Sequence, residues 1–253
     1  MQIDETQAAF TELVPLPASG RIFTARRRVR LSDADARGRL RLDAVARYLQ
    51  DVAADDVLET GWGGSRGHFW LVRRTLIQVL RPISFEEMVG LTTWSSGTGS
   101  SSASRRTTLG GERGGLIEAE SVWVHLTREM RPVRFGGDFF EVYGPSTNGR
   151  KITPRLELPD PPEGAERSAW PLRQCDLDVL GHVNNAAYWE AIEEAATRKG
   201  VSLARPLEAV LEFRQPIDLE DEVELLHSPE EKGFGLALAT AAEIKAVAAL
   251  RIA

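Results

Sequence analysis

Two short patterns occur twice in this chain at matched intervals, and they limit its architecture more than any single segment does. Asp33, Asp35 and Gly38 match Asp176, Asp178 and Gly181, each 143 positions apart. Pro82-Ile83, Glu86 and Val89 match Pro216-Ile217, Glu220 and Val223, each 134 positions apart. The second copy is therefore nine residues shorter between its two anchors (143 against 134). Separate anchors with the same internal spacings point to tandem duplication of one unit.

Each copy reads as strand, polar turn, long helix, then antiparallel strands, an α+β unit. In the first copy a strand over 22–31 leads to the turn at Asp33–Leu40. A helix follows whose stripe is Leu42, Val45, Ala46, Leu49, Val52, Ala53 and Val57, ending near Gly61. After the glycine-rich loop 61–67, strands are predicted at 69–80, 88–94, 101–109 and 116–127, the last two joined by a Gly-Gly hairpin turn. Val122, Val124 and Leu126 alternate with Trp123 and His125, as in a half-buried strand. In the second copy a strand over 169–174 leads to a helix over 185–199, with Asn184 or Asn185 as cap and Gly200 as stop. Strands at 207–214, 222–227 and 233–242 follow, and the Ala-rich stretch 244–252 reads as a closing strand with a helix as its alternative. The divisions are an N-terminal extension (1–20), a first unit (21–130), a Pro-rich connection (131–166) along the surface around Phe135, Phe139 and Phe140, and a second unit (167–253).

The copies part company where chemistry is to be sought. Gly181-His182-Val183-Asn184-Asn185 corresponds to Gly38-Arg39-Leu40-Arg41-Leu42, so the imidazole and both asparagines survive in one half only. Asp178 and His182 sit just before a helix N-terminus, where free backbone N–H groups and the positive end of the helix dipole gather. An acid, an imidazole and an anion-friendly backbone are the parts that acyl transfer uses. The backbone N–H of Gly181 or Val183 would complete an oxyanion site. Asp176 reads as structural, because Asp33 is kept in the copy without histidine.

Composition narrows the alternatives. A net charge of -6 gives no reason to expect nucleic acid or an anionic membrane as partner. The single cysteine, Cys175, forms no internal disulfide and fits a reducing cytoplasm. Residues 1–20 lack the basic and apolar regions of a signal peptide, and no apolar run approaches the ~20 residues of a membrane helix. Asp176, Asp178 and His182 lack the further ligands a metal site needs, and nothing nearby marks Cys175 as a nucleophile. The run Gly110–Gly115 has no following Lys-Ser/Thr and no helix, unlike a phosphate loop.

The run Asp176-x-Asp178-x-x-Gly181-His182-Val183-Asn184-Asn185-x-x-Tyr188, followed by an antiparallel sheet, resembles the hotdog-fold thioesterases, in which a curved sheet wraps a long helix. The first half is similar to acyl-ACP thioesterases through Trp70-Leu71-Val72-Arg73-Arg74, Thr93-Trp94, Arg105-Arg106, Trp123-Val124 and Arg131-Pro132. The resemblance spans roughly residues 22 to 225 and implies a double hotdog. It also implies hydrolysis of fatty acyl-ACP to a free fatty acid and holo-ACP, without cofactor or metal. Asp178 and His182 would be catalytic. Two positions depart from the plant pattern: Leu180 stands where those enzymes carry a catalytic asparagine, and Pro216-Ile217 stands where they carry Glu-Cys. Glu212, Gln50, Asn184 and Asn185 are the candidates to supply what is missing.

The expected partner is an acyl carrier protein or a coenzyme A thioester, with a homodimer possible. A hotdog hydratase and a non-catalytic acyl-binding module are the more distant alternatives. Leu42, Val45, Leu49 and Val52 are expected to help bound the acyl tunnel. Arg26, Arg27, Arg28, Arg30, Arg37, Arg39 and Arg41 crowd into sixteen residues of an otherwise acidic chain. They form either a docking face for an acidic carrier or a solvated strand face paired to Asp33, Asp35 and Asp43.

Overall fold

The computed structural model describes residues 10–62, 68–230 and 232–253. Residues 63–67 of the glycine-rich loop and 1–9 of the N-terminal extension lie outside the described residues. The first half contains β1 (Phe23–Arg28), α1 (Leu42–Thr60), β2 (Phe69–Arg81), β3 (Met88–Thr98), β4 (Ser102–Gly111) and β5 (Leu116–Leu126). After the short helix α2 (Gly137–Tyr143), the second half contains β6 (Glu166–Trp170), α3 (Ala187–Arg198), β7 (Leu207–Phe213), β8 (Val223–Glu230), β9 (Gly233–Ala239) and β10 (Ile244–Ile252). All ten strands form one antiparallel sheet in the order β1-β3-β4-β5-β2-β7-β10-β9-β8-β6. The order reads the same from both ends once the copies are superposed, and β2 against β7 is the seam. The chain is a double hotdog.

Both helices lie on one face of the sheet and pack against each other. The stripe of α1 (Leu42, Val45, Leu49, Val52) is 0–6% exposed, and Gly61 closes the helix in the left-handed region at φ 66°. Tyr188, Ile192, Ala195 and Ala196 of α3 are buried in the same core.

The two sequence anchors touch, which explains why both were kept. Leu40 N–H donates to Ile83 O at 2.8 Å, and Val183 N–H donates to Ile217 O at 2.9 Å. Gly38 and Gly181 both stand at φ 83°, where a side chain is strained. Asp33 and Asp176 each fold back onto the backbone, taking the N–H of Arg30 and of Arg173.

The Ala-rich stretch 244–252 is the expected closing strand, pairing with β7 on one side and β9 on the other, and small alanines fit the packed face. Two expectations need amending. The connection is not merely a surface run: it contains α2, which buries Phe139 and Tyr143 to 2% exposure against Trp62. In β5 the inward face carries Ile117, Ala119 and Trp123, while Val122 and Val124 turn to the outer face. The alternation misleads there because both faces of the sheet centre are covered. The N-terminal segment lies across the outer face, with Thr11 N–H donating to Glu208 and Arg106 donating to Val14 O.

Candidate active site

The turn between β6 and α3 is held by its own backbone. Asp178 N–H donates to His182 O at 2.9 Å, Gly181 N–H to Asp178 O at 3.1 Å, and Asn184 N–H to Asp176 O at 2.7 Å. The Asp178 carboxylate is half-buried on this turn, where it accepts Leu180 N–H at 2.8 Å. His182 does not reach toward it. Its Nδ1 meets Asp218 Oδ1 at 2.6 Å, with the two side chains 46% and 52% exposed. Asp218 is itself placed by a turn: its N–H donates to Asp221 Oδ2, and Asp221 pairs with Lys245 at 3.3 Å. The Tyr188 hydroxyl lies beneath these groups. Burial pushes its pKa up, against a hydrogen bond from the Ile217 backbone, and the charges of Asp218, Asp221 and Asp178 push the same way as burial.

The supporting residues divide. Asn184 caps the helix approach: its Oδ1 accepts Ala186 N–H at 2.9 Å and its carbonyl accepts Ala187 N–H. The N–H groups of Gly181 and Val183, expected as oxyanion donors, are both taken by backbone carbonyls. Glu212 is not at the site. The two-residue period of β7 puts it on the outer face, fully buried, where it accepts the N–H of Glu157 and Leu158 at 2.8 and 2.9 Å and pins the connection. Asn185 and Gln50 do come together, lining one small cleft with Trp123, Trp189 and Phe213. Cys175 is exposed, beside Asp176. Among the described residues, no group of three or more His, Cys, Asp or Glu side chains is placed to hold a metal ion.

Gln50 and Trp123 also border a much larger cavity, of about 390 Å³. Its helix wall is Gln50, Ala53, Ala54 and Val57, which fall on one face at i, i+3, i+4 and i+7. The expected tunnel wall of Leu42, Val45, Leu49 and Val52 is instead the neighbouring face, turned into the core. The small alanines leave the space. Trp70 and Trp123 line the cavity from the sheet, and Phe139 and Tyr143 of α2 line it as well. From Gln50 to Val57 the helix rises by roughly 10 Å.

The sister turn has the same backbone and a different filling. Arg39, in the position of His182, is 8% exposed and donates to Asp35 Oδ2 at 3.1 Å and to Leu40 O. Its guanidinium takes both oxygens of Glu193 from α3, at 3.1 and 2.6 Å, and Glu193 Oε1 also accepts Leu42 N–H at 2.6 Å. An ion pair occupies this turn where the second half has a histidine.

Asp218 escaped the sequence reading. It follows directly on the Pro216-Ile217 anchor, and its counterpart 134 positions earlier is Ser84, an asymmetry the repeat count exposes. Leu180, where the plant pattern has asparagine, is 61% exposed and does not pack on the helix. Leu180→Ala and Leu180→Asn should therefore each leave stability within ~0.5 kcal/mol of wild type, read by denaturant melts. Turnover should stay substantial in both. A wild type inert on every thioester and switched on by Leu180→Asn would mark a decayed site.

Residues 20–143 match the sequence profile of the acyl-ACP thioesterase N-terminal domain, and residues 160–248 match that of the C-terminal domain. An uncharacterised protein of Mycobacterium tuberculosis is 30% identical over 240 residues, covering 94% of this chain and 95% of that protein. The chloroplastic oleoyl-acyl carrier protein thioesterase of Coriandrum sativum is 24% identical over 222 residues, covering 75% of this chain and 58% of that protein. The crystal structure of an acyl-ACP thioesterase from Bacteroides thetaiotaomicron superposes with a TM-score of 0.77 at 16% identity, covering 92% and 98% of the two chains. No helix among the described residues is long and apolar enough to cross a membrane. The chain belongs to the acyl-ACP thioesterase family and is a thioester hydrolase.

Proposed function

We propose that the chain hydrolyses fatty acyl-ACP to a free fatty acid and holo-ACP at the single turn that carries Asp178 and His182. One observation carries this reading: the apolar cavity shares Gln50 and Trp123 with the small cleft that Asn185 lines, beside that turn, whereas the sister turn is filled by Arg39 and Glu193. The acyl chain lies along α1 in the cavity, and the thioester is presented to Asp178. The Asp178 carboxylate attacks the carbonyl carbon or deprotonates a water that does so. The C–S bond breaks, the sulfur leaves with a proton and water supplies the hydroxyl of the acid. His182 donates Nδ1–H to Asp218, which fixes its tautomer and frees Nε2 to face the leaving sulfur. Asp218 thus stands in for the carboxylate missing at Pro216.

The carrier rests on charge. Of the crowded arginines, Arg39 pairs with Asp35 and Glu193, Arg41 with Asp43 and Arg27 with Asp55. Arg26, Arg30 and Arg37 are exposed with no ion pair to a described residue, and they supply the attraction for an acidic carrier. Reversing Arg30 and Arg37 to Glu should lower kcat/KM on acyl-ACP about tenfold, in a salt-sensitive way, and leave an acyl-pantetheine unchanged. Thiol release from a panel of acyl-ACP and acyl-CoA substrates tests the whole reading. Preference for CoA thioesters would transfer it to coenzyme A, and release from neither would overturn it.

A further inference from the structure

We propose that Gln50, carried by the helix of the first half, completes the site of the second half as the side-chain donor to the thioester carbonyl. The proposal rests on the functional reading above and assigns a residue to its electrostatic step. Gln50 and Glu193 are 143 positions apart, as are Arg39 and His182, and Leu42 and Asn185. These three pairs are the same places in the two copies. In the first half that constellation is filled: Glu193 Oε1 sits 2.6 Å from Leu42 N, neutralised by the Arg39 guanidinium. This place in the fold therefore seats an anionic oxygen against a backbone N–H.

In the second half the same place is open. Asn185 N–H, the counterpart of Leu42 N–H, donates to no described residue. The Gln50 carboxamide makes no hydrogen bond to a described residue either, and it borders both the acyl cavity and the cleft at Asn185. The two exchanges are chemically coupled. A carboxylate at position 50 would lack the counterpart of Arg39, because His182 stands there, and it could not donate to a carbonyl oxygen. A carboxamide can. With Gln50 and Asn185 N–H as donors, the oxyanion of the tetrahedral intermediate takes the place that Glu193 Oε1 holds in the sister half.

Kinetics on a short acyl-pantetheine, which has no carrier to dock, provide the test. Gln50→Ala should lower kcat by ~10–100-fold with little change in KM. The near-isosteric Gln50→Glu should fall as far at pH 8. It should then recover relative to wild type as the pH is lowered and the introduced carboxyl becomes protonated, able to donate again. Glu193→Gln, which changes the sister position, should keep the wild-type kcat. A folded Gln50→Ala at wild-type kcat would overturn the proposal, as would a Gln50→Glu loss that is flat in pH or an equal loss from Glu193→Gln. Wild type that hydrolyses no thioester overturns the functional reading and this one together. Wild-type turnover that survives Gln50→Ala overturns this one alone.

Discussion

Asp178→Asn and His182→Ala should each lower kcat/KM on acyl-ACP by at least ~100-fold, the loss usual for a catalytic acid–base or electrostatic group. Asp35→Asn, the matching change in the sister turn, should cost far less. The halves share one backbone at these turns, down to the φ of Gly38 and Gly181, so a purely structural role would make the losses equal. They differ in what the side chains meet. Asp35 accepts Arg39 and two backbone N–H groups, while Asp178 accepts one N–H and has no ion pair to a described residue. Asp218→Asn should fall between, roughly tenfold down, because it removes the orientation of His182 and not the imidazole itself. Asp218→Glu should restore part of that loss. All variants should keep the wild-type circular dichroism spectrum. Comparable losses from Asp35→Asn and Asp178→Asn in folded protein would mean that both turns work.

The second large effect is on stability and lies in the half without a histidine. Arg39→Met should destabilise the protein by ~3 kcal/mol, because Glu193 would keep its charge at 12% exposure with only Leu42 N–H as partner. For a chain of this size that lowers Tm by about 6–12 °C. Adding Glu193→Gln should recover much of the loss, since a carboxamide still accepts Leu42 N–H and carries no charge to strand. Scanning calorimetry of the two variants settles the point. An Arg39→Met protein that melts with wild type would show that the pair makes no net contribution. Activity of the double variant should remain, because neither residue lines the large cavity.

What the sequence announced was local and periodic. The duplication was legible because its anchors are glycines and prolines in turns, where backbone geometry leaves little choice of residue. The limits of α1 were legible from its stripe and from Gly61, and most strands from their β-branched runs. What it concealed depends on which way a face turns. Glu212 was a fair candidate until the register of β7 sent it to the outer face, where the connection covers it. Leu42, Val45, Leu49 and Val52 are the tunnel wall the periodicity suggests, yet none of the four lines the large cavity, whose helix wall is Gln50, Ala53, Ala54 and Val57. The helix α2 is seven residues long in a stretch punctuated by Pro and Gly, and it forms because Phe139 and Tyr143 find Trp62 and the cavity, partners far away in sequence. The pairing of His182 with Asp218 joins residues from different loops and shows in the sequence only through the contrast with Ser84.

The central claim is that one chain holds one working site, in the second half, fed by a cavity in the first. A crystal structure with an acyl-pantetheine ketone, in which a methylene replaces the thioester sulfur, tests it most directly. The account predicts a single bound molecule per chain, its alkyl chain along Gln50, Ala53 and Val57 and its carbonyl between Asp178 and Asn185. Density for the carbonyl beside Asp35 and Arg39, or equal occupancy at both turns, would contradict it.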